Sequence, residues 1–182
     1  MLEGLQSKLP ILIGDKYLVR YIDDGDIEDI FDIYSNEKIS KHIVRKVHTT
    51  LNDSKQLIQL LKDRMVEGDN VYLGICESKT NKLIGIIRFL IKEDPQVITL
   101  GYGLNEKYWG QGIVPKVIDE LICYIKSDNK YLKLRATIKP DNINSLRCLE
   151  KLRFKKSGEF MKVGIVDNEE VKTKRFLYYK KL

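Results

Sequence analysis

The feature that most constrains this chain is a strand, a glycine-bearing loop and a helix in direct succession over residues 97–126. Gly110 and Gly112 stand in the loop, where the missing Cβ atoms let backbone N–H groups approach a ligand closely. The helix that follows directs its free N–H groups and its positive dipole end to the same place. The unit therefore predicts a cradle for an anion such as a diphosphate. Taken alone, two glycines before a helix fit a plain tight turn equally well.

The rest of the chain alternates between helical and strand periodicity. Apolar residues recur at i, i+3, i+4 and i+7 from Ile27 to Tyr34, which predicts an amphipathic helix with Asp23 or Asp24 as its N-cap. A second helix is predicted over 52–67, with Gly68 after its end. Further helices are predicted at 113–126 and 142–152, strands at 16–21, 71–77, 83–91, 97–104, 132–138, 154–166 and 171–179, and a hairpin turn at Asp167-Asn168. This order predicts one mixed α/β domain spanning residues 1–182, without a repeat or a linker.

Composition restricts the class of protein further. The 182 residues are 43% hydrophobic and 32% charged, as in a globular protein. No apolar run approaches the roughly 20 residues that cross a bilayer, because Arg88 interrupts the longest one, and no signal peptide is recognisable. Three scattered cysteines without CxxC spacing favour neither a disulfide framework nor a metal site. A cytoplasmic protein without a membrane partner is expected.

The net charge of +6 is concentrated in the basic tail, residues 151–182, which hold ten Lys or Arg and four Asp or Glu. Two interpretations stay open. The tail could face an anionic partner, or it could be the solvated face of a terminal strand pair.

Several motifs in order resemble the GNAT superfamily of acetyltransferases, and within it the Rim-type ribosomal-protein N-terminal acetyltransferases. Residues 100–115, LGYGLNEKYWGQGIVP, are similar to the CoA-binding loop and the strand before it. The other similar segments are LVRY at 18–21 followed by Asp26-Ile27, LIG at 83–85, NINS at 142–145 and LEKLRF at 149–154. Together they extend over nearly the whole chain.

This resemblance implies a fold and a reaction. The fold is a mixed, mostly antiparallel central sheet flanked by helices, with a splayed strand pair that binds acetyl-CoA. The reaction is transfer of the acetyl group to a primary amine by direct attack on the thioester. The implied cofactor-binding residues are the loop amides of Gly110, Gln111, Gly112, Ile113 and Val114, the strand end at Leu104 and Asn105, and Asn142. Ser145 is implied as the catalytic residue near the thioester sulfur, and no metal is expected.

Departures from the family pattern affect the catalytic assignments. Val114 replaces a small residue, Pro115 removes one N–H donor, and Lys116 could pair with a CoA phosphate or face solvent. Leu149 stands where many members carry a tyrosine acid, so Ser145 or water becomes the proton donor. Other candidates considered are His42, His48, Glu106 and Asp141 as bases, Cys148 as a nucleophile, and Tyr102 and Tyr108 as substrate or cofactor contacts.

The acceptor amine stays open at this point. The lack of an evident carboxylate base favours an α-amine, whose pKa of roughly 7.7–8.0 leaves part of it neutral near pH 7. A protein N-terminus is thus slightly preferred over a small-molecule amine. The alternatives are an acetyl-CoA-binding sensor without turnover and, less favoured, a nucleic-acid-associated module using the basic tail. A homodimer is compatible with the sequence.

Overall fold

The structure is a computed structural model that describes residues 2–42, 46–91, 94–166 and 169–182. One sheet of eight strands runs through it in the order β1-β2-β3-β4-β5-β6-β8-β7. The strands are β1 (Ile11–Ile13), β2 (Tyr17–Tyr21), β3 (Asn70–Glu77), β4 (Leu83–Leu90), β5 (Val97–Leu104), β6 (Lys133–Ile138), β7 (Lys155–Val166) and β8 (Glu169–Lys181). Every neighbouring pair is antiparallel except β5 and β6.

Helices cover both faces of this sheet. They are α1 (Glu3–Gln6), α2 (Ile27–Tyr34), α3 (Glu37–Ser40), α4 (Leu51–Val66), α5 (Ile113–Ser127) and α6 (Ile143–Lys151), with short 3₁₀ turns at Asp24–Asp26 and Glu106–Tyr108. Within the described ranges, no helix is long and apolar enough to cross a membrane.

Two apolar cores lie on opposite faces of the sheet. The larger core packs α1, α5 and α6 against alternate residues such as Ile87, Leu100 and Leu134. The smaller core packs α2 and α4 against the other face, including Tyr72 and Ile86. Burial of a large aliphatic side chain stabilises the fold by about 1.5–3 kcal/mol, so these two layers hold the sheet between the helices.

The parallel pair β5 and β6 separates part of the way along. Only Val97, Ile98 and Thr99 are in register with β6, opposite Lys133, Leu134 and Arg135. Beyond Thr99, β5 stays paired with β4 as far as Leu104, while β6 continues alongside β8. The second half of β5 therefore has a free edge that faces a gap in the sheet. The predicted splayed strand pair is confirmed.

Most predicted elements are present with bounds within two residues. The predicted N-cap of α2, Asp23 or Asp24, is wrong, because a 3₁₀ turn precedes the helix and its N-cap is Asp26. Asp23 instead caps that 3₁₀ turn, where its side chain accepts a hydrogen bond from Gly25 N at 2.8 Å. Gly68 follows the C-cap of α4 with φ +92°, as predicted. The short elements α1, β1 and α3 were not predicted, and the predicted turn at Asp167-Asn168 lies outside the described residues.

Candidate active site

A cavity of about 550 Å³ passes through the gap between β5 and β6. On one face of the sheet it is bordered by the loop before α5 and by the start of α6, including Gly112, Pro115 and Ser145. On the other face it is bordered by α2 and α4, including Tyr34 and Leu61. These two regions are called the loop half and the helix half below. One cavity thus joins two chemically different chambers through the sheet.

The loop half contains a row of free backbone donors. Within the described part of the chain, the five N–H groups of residues 110–114 have no hydrogen-bond acceptor. Gly110 and Gly112 adopt φ values of +76° and +72°, the left-handed conformation that glycine tolerates best. A Cβ atom at either position would meet no protein atom within 4 Å, so the backbone is open to a ligand. With the N-terminus of the 15-residue helix α5, this loop suits a diphosphate.

Trp109 fixes this loop to the end of β5. Its indole Nε1 donates a hydrogen bond to the backbone oxygen of Leu104 at 2.7 Å, and its ring packs against both apolar cores. The loop is therefore held at the mouth of the gap. Trp109 therefore keeps the loop attached to the sheet, although Gly110 and Gly112 have positive φ values.

The free edge of β5 offers further donors to the gap. Asn105 N donates to Ile84 O at 2.8 Å, so the N–H of Asn105 points toward β4. Because hydrogen-bonding direction alternates along an antiparallel strand, the N–H groups of Tyr102 and Leu104 point the opposite way, into the gap. An extended ligand lying in the gap could accept hydrogen bonds from them.

The helix half lies over a part of β5 that has no side chains on this face of the sheet. Gly101 and Gly103 are on the same face as their register partners, Arg88 and Ile86 on β4. A Cβ on Gly103 would lie 3.9 Å from the hydroxyl of Tyr34, and one on Gly101 would lie 3.6 Å from Arg88 Nε. The two glycines therefore leave space between the sheet and α2, next to the end of the gap.

The comparisons with known proteins agree with this geometry. The family described as acetyltransferase (GNAT) domain matches residues 16–155. The chain belongs to the GNAT acetyltransferases. A curated relative is the "uncharacterized N-acetyltransferase YoaA" of Bacillus subtilis (strain 168), 28% identical over 150 residues that cover 82% of this chain and 85% of the relative.

Solved structures of this family share the fold. One is the microcin C7 self-immunity acetyltransferase MccE in complex with acetyl-CoA and AMP, with a TM-score of 0.80 at 20% identity over 97% of this chain and 98% of that one. Another is RimL, a ribosomal L7/L12 alpha-N-protein acetyltransferase, with a TM-score of 0.80 at 15% identity over 94% and 93%. As a GNAT acetyltransferase, the protein uses acetyl-CoA as its co-substrate, and the interpretation as a sensor without turnover is not supported.

Seven of the nine sequence-predicted site residues line the cavity of the acetyltransferase. They are Leu104, Gly110, Gly112, Ile113, Val114, Asn142 and Ser145. Gln111 does not line it, and its side chain donates to Lys107 O at 3.2 Å. Asn105 does not line it either, since its buried side chain donates to Asp32 Oδ2 at 2.9 Å. The roles of all nine toward acetyl-CoA stay predictions.

The start of α6 is held against β5. Asn142 caps α6, and its side-chain oxygen accepts a hydrogen bond from Ser145 N at 3.1 Å. Tyr102 donates its hydroxyl proton to Ser145 O at 3.2 Å, and burial raises the pKa of Tyr102. Burial also raises the pKa of the Cys148 thiol, which makes it a poor nucleophile. Leu149 is fully buried in the core. The backbone of Ser145 is thus held in place by two hydrogen bonds at the cavity wall.

The carboxylate candidates lie elsewhere. Glu106 pairs with Lys38 and accepts from Asn36 Nδ2 at 2.7 Å, contacts that lower the pKa of its carboxyl group. Asp141 pairs with Lys41 at 3.4 Å. Neither residue lines the cavity, and no Asp or Glu of the described ranges does.

The two histidines differ in position. His48 is buried, its ring Nδ1 is 2.9 Å from Ser54 Oγ, and it does not line the cavity. His42 lines the helix half, and burial lowers the pKa of its ring. The lowered pKa favours the neutral form of this imidazole at the cavity wall, although its Nδ1 lies 3.8 Å from Asp141 Oδ1. Across the described residues, no cluster of three or more His, Cys, Asp or Glu could hold a metal ion.

Apart from His42, sequence reasoning missed the residues of the helix half. Tyr34, Arg64, Arg88 and Arg175 line it, yet none was singled out for the site. One signal was present. Arg88 interrupts an otherwise apolar strand, and a charged side chain there indicates that its face is not wholly covered by apolar packing.

Proposed function

We propose that this acetyltransferase transfers the acetyl group of acetyl-CoA to an α-amine, favouring the N-terminus of a peptide or protein. The observation that carries the proposal is the cavity wall, which holds no Asp or Glu of the described residues. The direct acceptor of an amine's proton is thus water or the neutral ring of His42 rather than a carboxylate.

The amine itself must be neutral to attack a thioester. An α-amine has a pKa of roughly 7.7–8.0 and is partly neutral at pH 7, whereas a lysine or polyamine amine near 10.4 is almost wholly protonated. An α-amine therefore needs the least help from a base. A cavity without carboxylates suits it better than it suits a strongly basic amine.

The charge of the cavity supports the same choice. The helix half is lined by Arg64, Arg88, Lys139, Lys162 and Arg175. Such a wall repels a polycation such as spermidine or an aminoglycoside, and it tolerates a peptide that carries one positive charge or none.

The chain's own groups have distinct roles in this proposal. The amides of residues 110–114 and the dipole of α5 bind the diphosphate, and the N–H groups of Tyr102 and Leu104 orient the pantetheine arm and the thioester carbonyl. Acetyl-CoA supplies the activated acetyl group. Ser145, or a water beside it, delivers a proton to the departing thiolate, which needs little help because a thiol has a pKa near 8.5.

One of the solved structures with this fold gives a precedent. RimL is described as acting on an alpha-amino group of a ribosomal protein. At 15% identity this likeness concerns the fold, and it supports an α-amino acceptor only as a precedent.

The test measures thiol release from acetyl-CoA with matched acceptors. We expect turnover with short peptides that have a free N-terminus, none with the same peptides blocked at the N-terminus, and slow turnover with spermidine and an aminoglycoside. Faster turnover of the polycations would contradict the proposal. The cytoplasmic location and a homodimer stay predictions, which fractionation and light scattering would check.

A further inference from the structure

We propose that the helix half recognises an oxyanion, a carboxylate or phosphate, carried by the acceptor a few bonds from its reacting amine, with Arg88 as the main contact. This inference rests on the proposed function for the identity of the amine. It goes further by naming a second chemical group that the acceptor must carry.

Arg88 is placed where such a group would lie. It stands on β4 opposite Gly101, and its guanidinium extends over that glycine, 3.6 Å and 3.8 Å from where a Cβ would be. A side chain at position 101 would cover this guanidinium, and the glycine leaves it open to the cavity. Within the described part of the chain, Arg88 has no carboxylate within ion-pair distance.

Helix α4 adds a second guanidinium on the same side. Leu57, Leu61 and Arg64 all line the cavity, at the i, i+4 and i+7 spacing of one helical face. The cavity-facing stripe of α4 is thus apolar for two turns and then ends in an arginine. Arg64 also has no carboxylate within ion-pair distance among the described residues.

A third arginine lies across the cavity on β8. Arg175 is only 6% exposed, and it makes two long hydrogen bonds, to Thr173 Oγ1 at 3.4 Å and to His42 O at 3.5 Å. Burial lowers the pKa of Arg175, and burial together with the charge of Arg175 lowers the pKa of Lys139.

One carboxylate is close to Arg175 and Lys139. Asp141 acts on Arg175 electrostatically, but its side chain pairs with Lys41 and it does not line the cavity. Buried charges are normally paired, because an uncompensated charge away from water is costly. A cavity wall with several cations and no lining carboxylate is therefore electrostatically complementary to an anionic ligand.

The position of Arg88 limits the spacing between the anion and the amine. Gly101 precedes Leu104, whose N–H faces the gap, by three residues, or about 10 Å along a strand. The guanidinium of Arg88 lies over Gly101, so this separation is the distance that the acceptor has to span. The acceptor's oxyanion is therefore expected on the residue next to the reacting amine, or on a group of similar reach.

The experiment compares acceptors that differ only in charge. The first pair is Ala-Asp-amide and Ala-Asn-amide, and the second is Ala-phosphoserine-amide and Ala-Ser-amide, all with the same N-terminal residue. We expect kcat/KM to favour the anionic member of at least one pair by about 10- to 100-fold, the size of a charge-assisted hydrogen bond. The pair with the larger ratio identifies the carboxylate or the phosphate.

Variants connect this preference to the arginine. Arg88→Gln should remove most of the ratio, Arg88→Lys should retain part of it, and Lys133→Gln, at an exposed position outside the cavity, should leave it unchanged. Each variant is first checked for an unchanged thermal shift with acetyl-CoA, so that a folding defect is recognised. Equal rates within both pairs, or a ratio that survives in Arg88→Gln, would overturn the inference.

A binding measurement separates this inference from the proposed function. If no free N-terminus is acetylated, the α-amine proposal fails. Calorimetry with N-acetyl-Ala-Asp-amide in the presence of CoA still tests the oxyanion site. Binding that is lost in Arg88→Gln and absent with the Asn peptide supports the site, and equal binding of both peptides contradicts it.

Discussion

Ser145 is the residue on which the proposed chemistry depends most directly. We expect Ser145→Ala to lower turnover at or below the low end of the roughly 10²–10⁴-fold typical of general acids, because the thiolate is already a good leaving group. Acetyl-CoA affinity should hardly change, since the backbone N–H of residue 145 still binds Asn142. Single-turnover kinetics and a thermal shift with acetyl-CoA measure the two effects separately. Unchanged turnover would assign the proton to water.

A second residue-scale prediction concerns the ion pair that joins β2 to the turn before α2. Arg20 donates to both oxygens of Asp26, at 2.8 Å and 2.7 Å, and Asp26 is 2% exposed. The hydrogen bonds from Arg20 to Asp26 raise the pKa of the guanidinium. Asp26→Asn should lower the free energy of unfolding by about 3–5 kcal/mol, because it leaves a largely buried cation with only the exposed and more distant carboxylate of Asp23, at 3.8 Å.

Asp24→Asn is the matched control in the same turn. Asp24 pairs with Lys62 at 2.7 Å, but its side chain is 77% exposed, so its loss should cost less than about 1 kcal/mol. Urea denaturation of the two variants gives the comparison. Similar costs for both would contradict the structural role assigned to Asp26.

At the scale of elements, the loop before α5 is the part that acetyl-CoA should stabilise. At a ligand concentration about 100 times Kd, binding stabilises a folded protein by about 2.7 kcal/mol. Gly112→Val should abolish this shift, because its φ of +72° disfavours a side chain and the new side chain would occupy the open cradle. Gly158→Val, at a glycine with equally open surroundings and no positive φ, should keep the full shift.

The start of α4 predicts a pH dependence of stability. Asp53 accepts hydrogen bonds from Thr49 N and Thr50 N at 2.9 Å and 2.8 Å, which lower the pKa of its carboxyl group to about 2. An unfolded aspartate has a pKa of roughly 3.9. Because the folded pKa is lower, the stabilisation is complete above about pH 4 and is lost as the pH falls towards 2.

Asp53→Asn should therefore destabilise the protein at pH 7 and have little effect at pH 2. Asp63→Asn, near the other end of the same helix, should show no such difference. Thermal unfolding at both pH values tests the pair, and an equal effect of Asp53→Asn at the two values would contradict the assignment.

The helices and strands that could be predicted from the sequence were those with a clear apolar period of their own. The helix from Ile27 to Tyr34 and the strand from Val97 to Leu104 each carry a clear apolar period, and both are present as predicted. The short elements α1, β1 and α3 contain three or four residues, too few for a period to be recognised. Their positions depend on contacts with distant segments, such as Gly4 N with Asp128 at 2.7 Å.

At the scale of the whole molecule, the predicted catalytic and cofactor-binding residues that line the cavity all belong to its loop half. The loop half is contiguous in the chain, so its glycines and helix start could be recognised together. The helix half is assembled from α2, α4, β4 and β8, which meet only because β5 and β6 separate. Strand periodicity assigns Arg88 and Arg175 to a face, but it cannot show that their strands border one cavity.

The structure divides the charges of the basic tail between the cavity and the surface. Lys151, Lys162 and Arg175 from residues 151–182 line the cavity, and the rest of the hairpin β7–β8 places charges in solvent. The exposed charges agree with a solvated face, and an anionic partner of the tail stays a prediction. The tail contributes to the field at the acceptor site as well as to the solvated surface.

This distribution of charge predicts an effect of salt on acceptor choice. Raising ionic strength from about 0.05 M to 0.5 M shortens the Debye length from about 14 Å to about 4 Å, which screens the cavity's field over the approach of an acceptor. The kcat/KM for Ala-Asp-amide should fall, that for Ala-Asn-amide should stay nearly constant, and that for spermidine should rise as repulsion is screened. Acetyl-CoA is held at saturation so that its own phosphates do not contribute. A spermidine rate that exceeds the peptide rate at low salt and falls as salt is added would mean that the acceptor meets a negative field, contrary to the arrangement of Arg64, Arg88 and Arg175.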